Sequence, residues 1–171
     1  QHLTLWLMQI GASPDLIRLG LRPAGAELVH AELSHRAYKG AQGRDVPRIA
    51  RETLGLLRHP TEPLEHDVTR VCLEVFCLGE TVAVPLFKSL REACVVPLAR
   101  RVLDRVLRDE VRHRDLGWML LGWILEHPMA EALRSLVSSE LPACFARIRS
   151  VYAPGFAQSR DRLGGAAHIG H

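Results

Sequence analysis

Residues 97–126, PLARRVLDRVLRDEVRHRDLGWMLLGWILE, open on a proline and then set apolar side chains at Val102, Leu103, Val106, Leu107, Val111, Leu116, Leu120, Leu121 and Ile124. Spacings of three and four are those of a helix that buries one face. Pro97 suits a first helical turn, whose N–H groups have no partner within the helix. Pro128 ends the run at about Glu126. Glu110 and His113 stand three apart in its middle, so they project from the same face.

Read outward, the chain repeats this pattern. A helix is expected from about Leu64 to Ala93, with apolar positions at Val68, Val71, Cys72, Val75, Phe76, Leu78, Val82 and Phe87 and a kink at Pro85. Only Cys94-Val95-Val96 separates it from the Pro97 helix. Near the start, Leu3, Leu5, Trp6, Leu7, Met8 and Ile10 run into Gly11-Ala12-Ser13-Pro14, a C-terminal glycine followed by a serine cap and a first-turn proline. One helix therefore ends here and a second runs from about 14 to 39, disturbed near Pro23 and stopped by Gly40-Ala41-Gln42-Gly43. The first begins in mid-pattern without a cap, and its N-terminal part is expected to lie before Gln1.

Residues 40–63 hold Pro47, Gly55, Pro60 and Pro63 and read as a long connection with one short helix around Arg48–Leu57. A fifth helix is expected over about 129–150, within a domain spanning 1–150, and an irregular tail over 151–171. Helices joined by short, long and short connections describe an all-α, four-helix bundle with one long crossover plus a C-terminal helix.

Composition agrees with that class. Of 171 residues 47% are hydrophobic and only 5% aromatic, enough apolar material for one core and a balance that favours helices. The net charge of +3 is spread out, and the arginines near residue 110 alternate with Asp104, Asp109, Glu110 and Asp115. This excludes a nucleic-acid groove and points to a solvated helix face. Four cysteines without a Cys-x-x-Cys pair read as free, mostly buried thiols. No run is apolar enough to span a membrane, and a cytoplasmic location is expected.

The second helix repeats the Glu-x-x-His spacing of the Pro97 helix as Glu32-Leu33-Ser34-His35. Glu27-Leu28-Val29-His30 also fits. Positions five apart differ by about 140° around an ideal helix, so both pairs cannot face the core. Glu32 and His35 are taken as the inward pair. Stepping from Glu80 by helical intervals meets Leu73, Cys77 and Val84, so this carboxylate lies on an apolar stripe. Carboxylates from three helices meeting in one core repel each other strongly unless cations match them.

The run Cys77-Leu78-Gly79-Glu80-Thr81, then Asp109-Glu110-Val111-Arg112-His113 and Leu116-Gly117-Trp118, resembles the ferritin-like di-iron carboxylate proteins. It is most similar to the bacterial ferritin-like domain group with Gly-Glu-Thr and Asp-Glu-x-x-His motifs. The likeness covers roughly residues 1–126. It implies metal ligands at Glu32, His35, Glu80, Glu110 and His113, with Asp109 orienting a ligand histidine, expected to be His35. The first-helix glutamate of that family would fall before Gln1.

The resemblance implies two iron ions, with manganese as the alternative, and O2 together with a small-molecule or Fe2+ substrate. Carboxylate- and imidazole-bound iron pairs can exchange electrons with O2, which suits an oxidase or oxygenase of a small organic molecule. A ferroxidase or iron-handling protein is the second expectation. A structural or partner-binding bundle with a vestigial site is the third, and a homo-oligomer or partner protein stays open. No Gly-rich phosphate loop or Gly-x-Ser-x-Gly appears, against nucleotide and hydrolase chemistry.

Overall fold

The computed structural model describes residues 2–44 and 55–152. Helix α1 spans His2–Gln9 and α2 Pro14–Gly40, while α3 (Leu64–Val71), a π-helical segment (Cys72–Gly79) and α4 (Glu80–Ala93) follow one another without a break. Then come α5, Pro97–Ile124, and α6, Ala130–Tyr152. The protein is an all-α helical bundle, with no strand among the described residues.

The turn between α1 and α2 follows the expected chemistry. Gly11 adopts φ 78°, a left-handed conformation that glycine takes without penalty. The Ala12 N–H donates back to Leu7 O at 2.9 Å, and the Ser13 side chain accepts from Leu16 N. Pro23 lies inside α2 without ending it. In the turn it disturbs, the buried Thr4 hydroxyl of α1 donates to Gly20 O at 3.0 Å, tying α1 to α2.

Two points differ from expectation. Exposed Pro85 lies inside α4, and the Leu64–Ala93 rod also has an irregularity that the residue pattern did not signal. It is the π-helical winding ahead of Glu80, where the Glu80 N–H reaches Val75 O, five residues back, as well as Cys77 O. Such windings relieve packing that an α-helix cannot satisfy and are frequent at functional sites. The second concerns the connection: residues 45–54 lie outside the described residues, and the described part of the expected 48–57 helix, Gly55 to Leu57, is not helical. The expected tail also falls outside them, from residue 153 onward, and α6 continues to Tyr152.

The core draws Leu7 from α1, Val68 from α3, Cys72, Leu73 and Cys77 from the π segment, Leu120, Leu121 and Ile124 from α5, and Leu133 and Cys144 from α6. All four cysteines are free and three are buried. Cys72 and Cys77, five apart in the π winding, have their sulfurs 4.0 Å from each other.

Contact between α5 and the π segment is backbone to backbone. A Cβ on Gly117 would lie 2.5 Å from the Phe76 carbonyl carbon and 2.6 Å from its oxygen. Gly117→Ala must therefore push the two elements apart. Overpacking of this kind costs about 1–3 kcal/mol or more, and a thermal melt should fall by roughly 2–12 °C. An unchanged melting temperature would contradict the close approach.

Candidate metal centre

The buried stripe of α5 runs through Val106, Asp109, Glu110, His113, Gly117, Leu120, Leu121 and Ile124. Its spacing is that of an ordinary core face, yet three consecutive members are polar. Asp109, Glu110 and His113 are 3%, 6% and 4% exposed, so each must find its partners inside the protein.

Those partners come from α2 and the rod. The Nδ1 of buried His30 lies 3.6 Å from Glu27 and 3.5 Å from Glu110. Opposite it, His113 Nδ1 lies 3.3 Å from Glu27 and 3.2 Å from Glu110. Among the described residues two groups of candidate ligands result, Glu27, His30 and Glu110, and Glu80, Glu110 and His113, with the donor atoms of each group within 4.8 Å of one another. Donors bound to one ion at about 2.1 Å can stand at most about 4.2 Å apart, so small inward movements would close either group on a divalent cation. Glu110 belongs to both groups.

Electrostatics mark the place as crowded with negative charge. Burial, the adjacent Glu110 carboxylate and the charge of Glu27 push Glu80 up to about 9. For Glu110, burial also opposes ionisation, but His113, the protonated Glu80 and His30 outweigh it and hold this carboxyl below its ordinary value. A proton between two carboxylates here fills the role a cation would fill.

Asp109 faces the other side of His30, with Oδ2 3.2 Å from Nε2. Burial opposes its charge too, but hydrogen bonds from Arg105 and His30 dominate and keep it below the usual carboxylate range. The Arg105 Nε donates to Oδ2 at 2.6 Å and Arg112 to Oδ1 at 3.3 Å. An anionic Asp109 can accept an Nε2–H of His30, which fixes the ring with Nδ1 toward Glu27 and Glu110, the atom that would face a bound cation.

The structure thus brings Glu80, Glu110, His113 and Asp109 together and leaves Glu32 and His35 out. Both of these are exposed on α2; the pair that reaches Glu110 and His113 is buried His30 with Glu27, whose own side chain is 55% exposed. The histidine that Asp109 faces is accordingly His30, not His35. The two pairs are separated by rotation about α2 alone. Burial of Pro23 and His30 against exposure of Leu28 and Tyr38 shows which face turns inward. Pro23, four residues before Glu27, is the signal in the chain for the face that turns inward.

An apolar cavity of about 240 Å³ adjoins the cluster and is bounded by α1, α2, the π segment and α5. Glu27, Glu80 and His113 form part of its wall, and α1 contributes Leu3, Thr4 and Leu7. No described helix is long and apolar enough to cross a membrane. No known protein family, curated protein or solved structure matches the chain.

Proposed function

We propose that the cluster is a dinuclear metal centre of the ferritin-like di-iron kind, and that the protein is an O2-dependent oxidase or oxygenase of a small organic molecule. The observation that supports this most is Glu110, a buried carboxylate common to two three-donor groups, each of which could hold an ion. Glu27 and His30 would hold one ion, Glu80 and His113 the other. Mixed carboxylate and imidazole donors suit iron or manganese better than the thiolate-preferring ions.

Bound iron would supply the electrons for reduction of O2. The chain's own part is to place the donors, to keep His30 oriented through Asp109, and to surround the centre with apolar side chains. The cavity beside the ligands favours an organic substrate over Fe2+ as the molecule acted upon.

Iron loading under air tests the reading. Two iron ions per chain, with an oxidised-iron absorbance, are expected for the native sequence and for Glu32→Gln, whereas Glu27→Gln should lose iron. No iron bound to the native chain, or loss in Glu32→Gln alone, would overturn it. Asp109→Asn should keep the fold but weaken iron binding by about 10–100-fold, the usual effect of removing the partner of a ligand histidine. A competition titration with a chelator reads that change.

A further inference from the structure

The cavity and the cluster share three side chains, and among the described residues the rest of the wall carries no positive charge. Leu3, Leu7, Leu16, Val75, Phe76 and Leu116 line it, and no lysine or arginine does among the described residues. The Thr4 hydroxyl is already committed to Gly20 O. Gly20 itself leaves room, since a Cβ there would only touch Leu7 and Thr4 at 3.4 Å. An anionic or strongly polar ligand would find no lysine or arginine among the described wall residues and would lose its hydration without replacement.

We propose that this cavity seats the substrate, and that the substrate is an uncharged, largely apolar molecule the size of a substituted benzene or a short alkyl chain. The inference rests on the metal-centre reading for the word substrate; the ligand class rests on the cavity wall. An apolar cavity of about 150 Å³ is enough to bind benzene. The present one exceeds that and leaves room for a substituent. One end of the occupant would abut Glu27, Glu80 and His113, so the end nearest the cluster is where it would react. The reading also accounts for the π winding, which brings Val75 and Phe76 to the cavity and Glu80 to the cluster.

Fluorine NMR of fluorobenzene and of its anionic match, 4-fluorobenzoate, tests the proposal on the 171-residue chain. Fluorobenzene should bind saturably and at least tenfold more tightly than 4-fluorobenzoate. Loading with Mn2+ should broaden the bound fluorobenzene line, because the cavity adjoins the cluster. Ala24→Phe, which fills the cavity one turn before Glu27, should weaken fluorobenzene at least tenfold while the metal content stays native. If that variant fails to fold, Leu116→Trp fills the same space from α5.

Equal or tighter binding of 4-fluorobenzoate would overturn the ligand class. So would the absence of saturable fluorobenzene binding to a chain that holds its two metals, which would leave the metal centre standing. A chain that binds fluorobenzene at this cavity but takes up no metal would instead overturn the metal centre, and the substrate role with it.

Discussion

Glu110→Ala is expected to abolish binding of both metal ions, an effect larger than that of any other single ligand. Glu27 and His30 belong to one group of donors and Glu80 and His113 to the other, whereas Glu110 serves both. Losing an outer partner weakens a metal site by roughly 10–100-fold, and losing a shared carboxylate ligand should exceed that for each ion. Elemental analysis after gel filtration reads the result. Retention of one ion per chain would show that the two groups are independent, and retention of both would end the dinuclear reading.

The same substitution has a second signature in the metal-free protein. Glu80 has its carboxyl raised to about 9 by burial, by Glu110 and by Glu27, against 4.5 for an unperturbed glutamate. The folded chain therefore keeps this proton while the unfolded chain gives it up. Between about pH 4.5 and 9 the folded state binds more protons, so this group's contribution to stability falls as pH rises. Urea titrations of metal-free protein should show that decline. In Glu110→Ala the decline should end at a lower pH, because one of the charges that raise Glu80 is gone, and an unchanged end point would mean that burial alone sets the shift.

Asp67→Ala is expected to cost the most stability of the substitutions outside the centre. Asp67 is 1% exposed at the start of the rod and accepts from Arg58 Nη1 at 2.5 Å, from the His59 backbone N–H at 3.0 Å and from Arg70 Nη1 at 3.3 Å. The His59 ring Nδ1 lies 2.5 Å from its other oxygen. Arg70 in turn binds Glu140 of α6 at 2.9 Å. One carboxylate thus fastens the end of the connection to the rod and lies next to its link to α6.

Removing one partner of a buried ion pair costs about 3–5 kcal/mol. Arg58 and His59 are more than a third exposed and can regain water, so the lower end applies, about 3 kcal/mol. A fall in melting temperature of roughly 6–12 °C follows. Asp67→Asn, which still accepts the His59 N–H, should lose less. If alanine and asparagine melt like the native chain, the network contributes nothing.

Acid should mimic the substitution. Burial opposes the charge on Asp67, but the hydrogen bonds from His59 and Arg58 prevail and hold its carboxyl below the ordinary 3.8. Its contribution is complete above that value and is lost as pH falls through the lowered one, where the unfolded chain takes up the proton first.

The elements were legible in the chain because local rules place them. Period-3.6 patterning, Ser13-Pro14, Gly11 and Pro97 set α1, α2 and α5 within a few residues of where they lie. Glu80, Glu110 and His113 could be named in advance for the same reason, since a helix presents residues three and four apart on one side; Asp109 came only from the family resemblance, and the histidine it faces is His30 rather than the expected His35. The choice between Glu27–His30 and Glu32–His35 could not be made this way. Both pairs satisfy the spacing, and only the rotation of α2 against α5 decides between them.

Sequence alone therefore determined an all-α chain, the helix ends and a set of donors with the spacing of a metal centre. Tertiary packing decided which face of α2 turned inward, how the rod wound before Glu80, and that a cavity opened beside the carboxylates. The physical reason is that helical periodicity is written in neighbours along the chain, whereas rotation, winding and empty space depend on how side chains of distant segments fill the volume between helices.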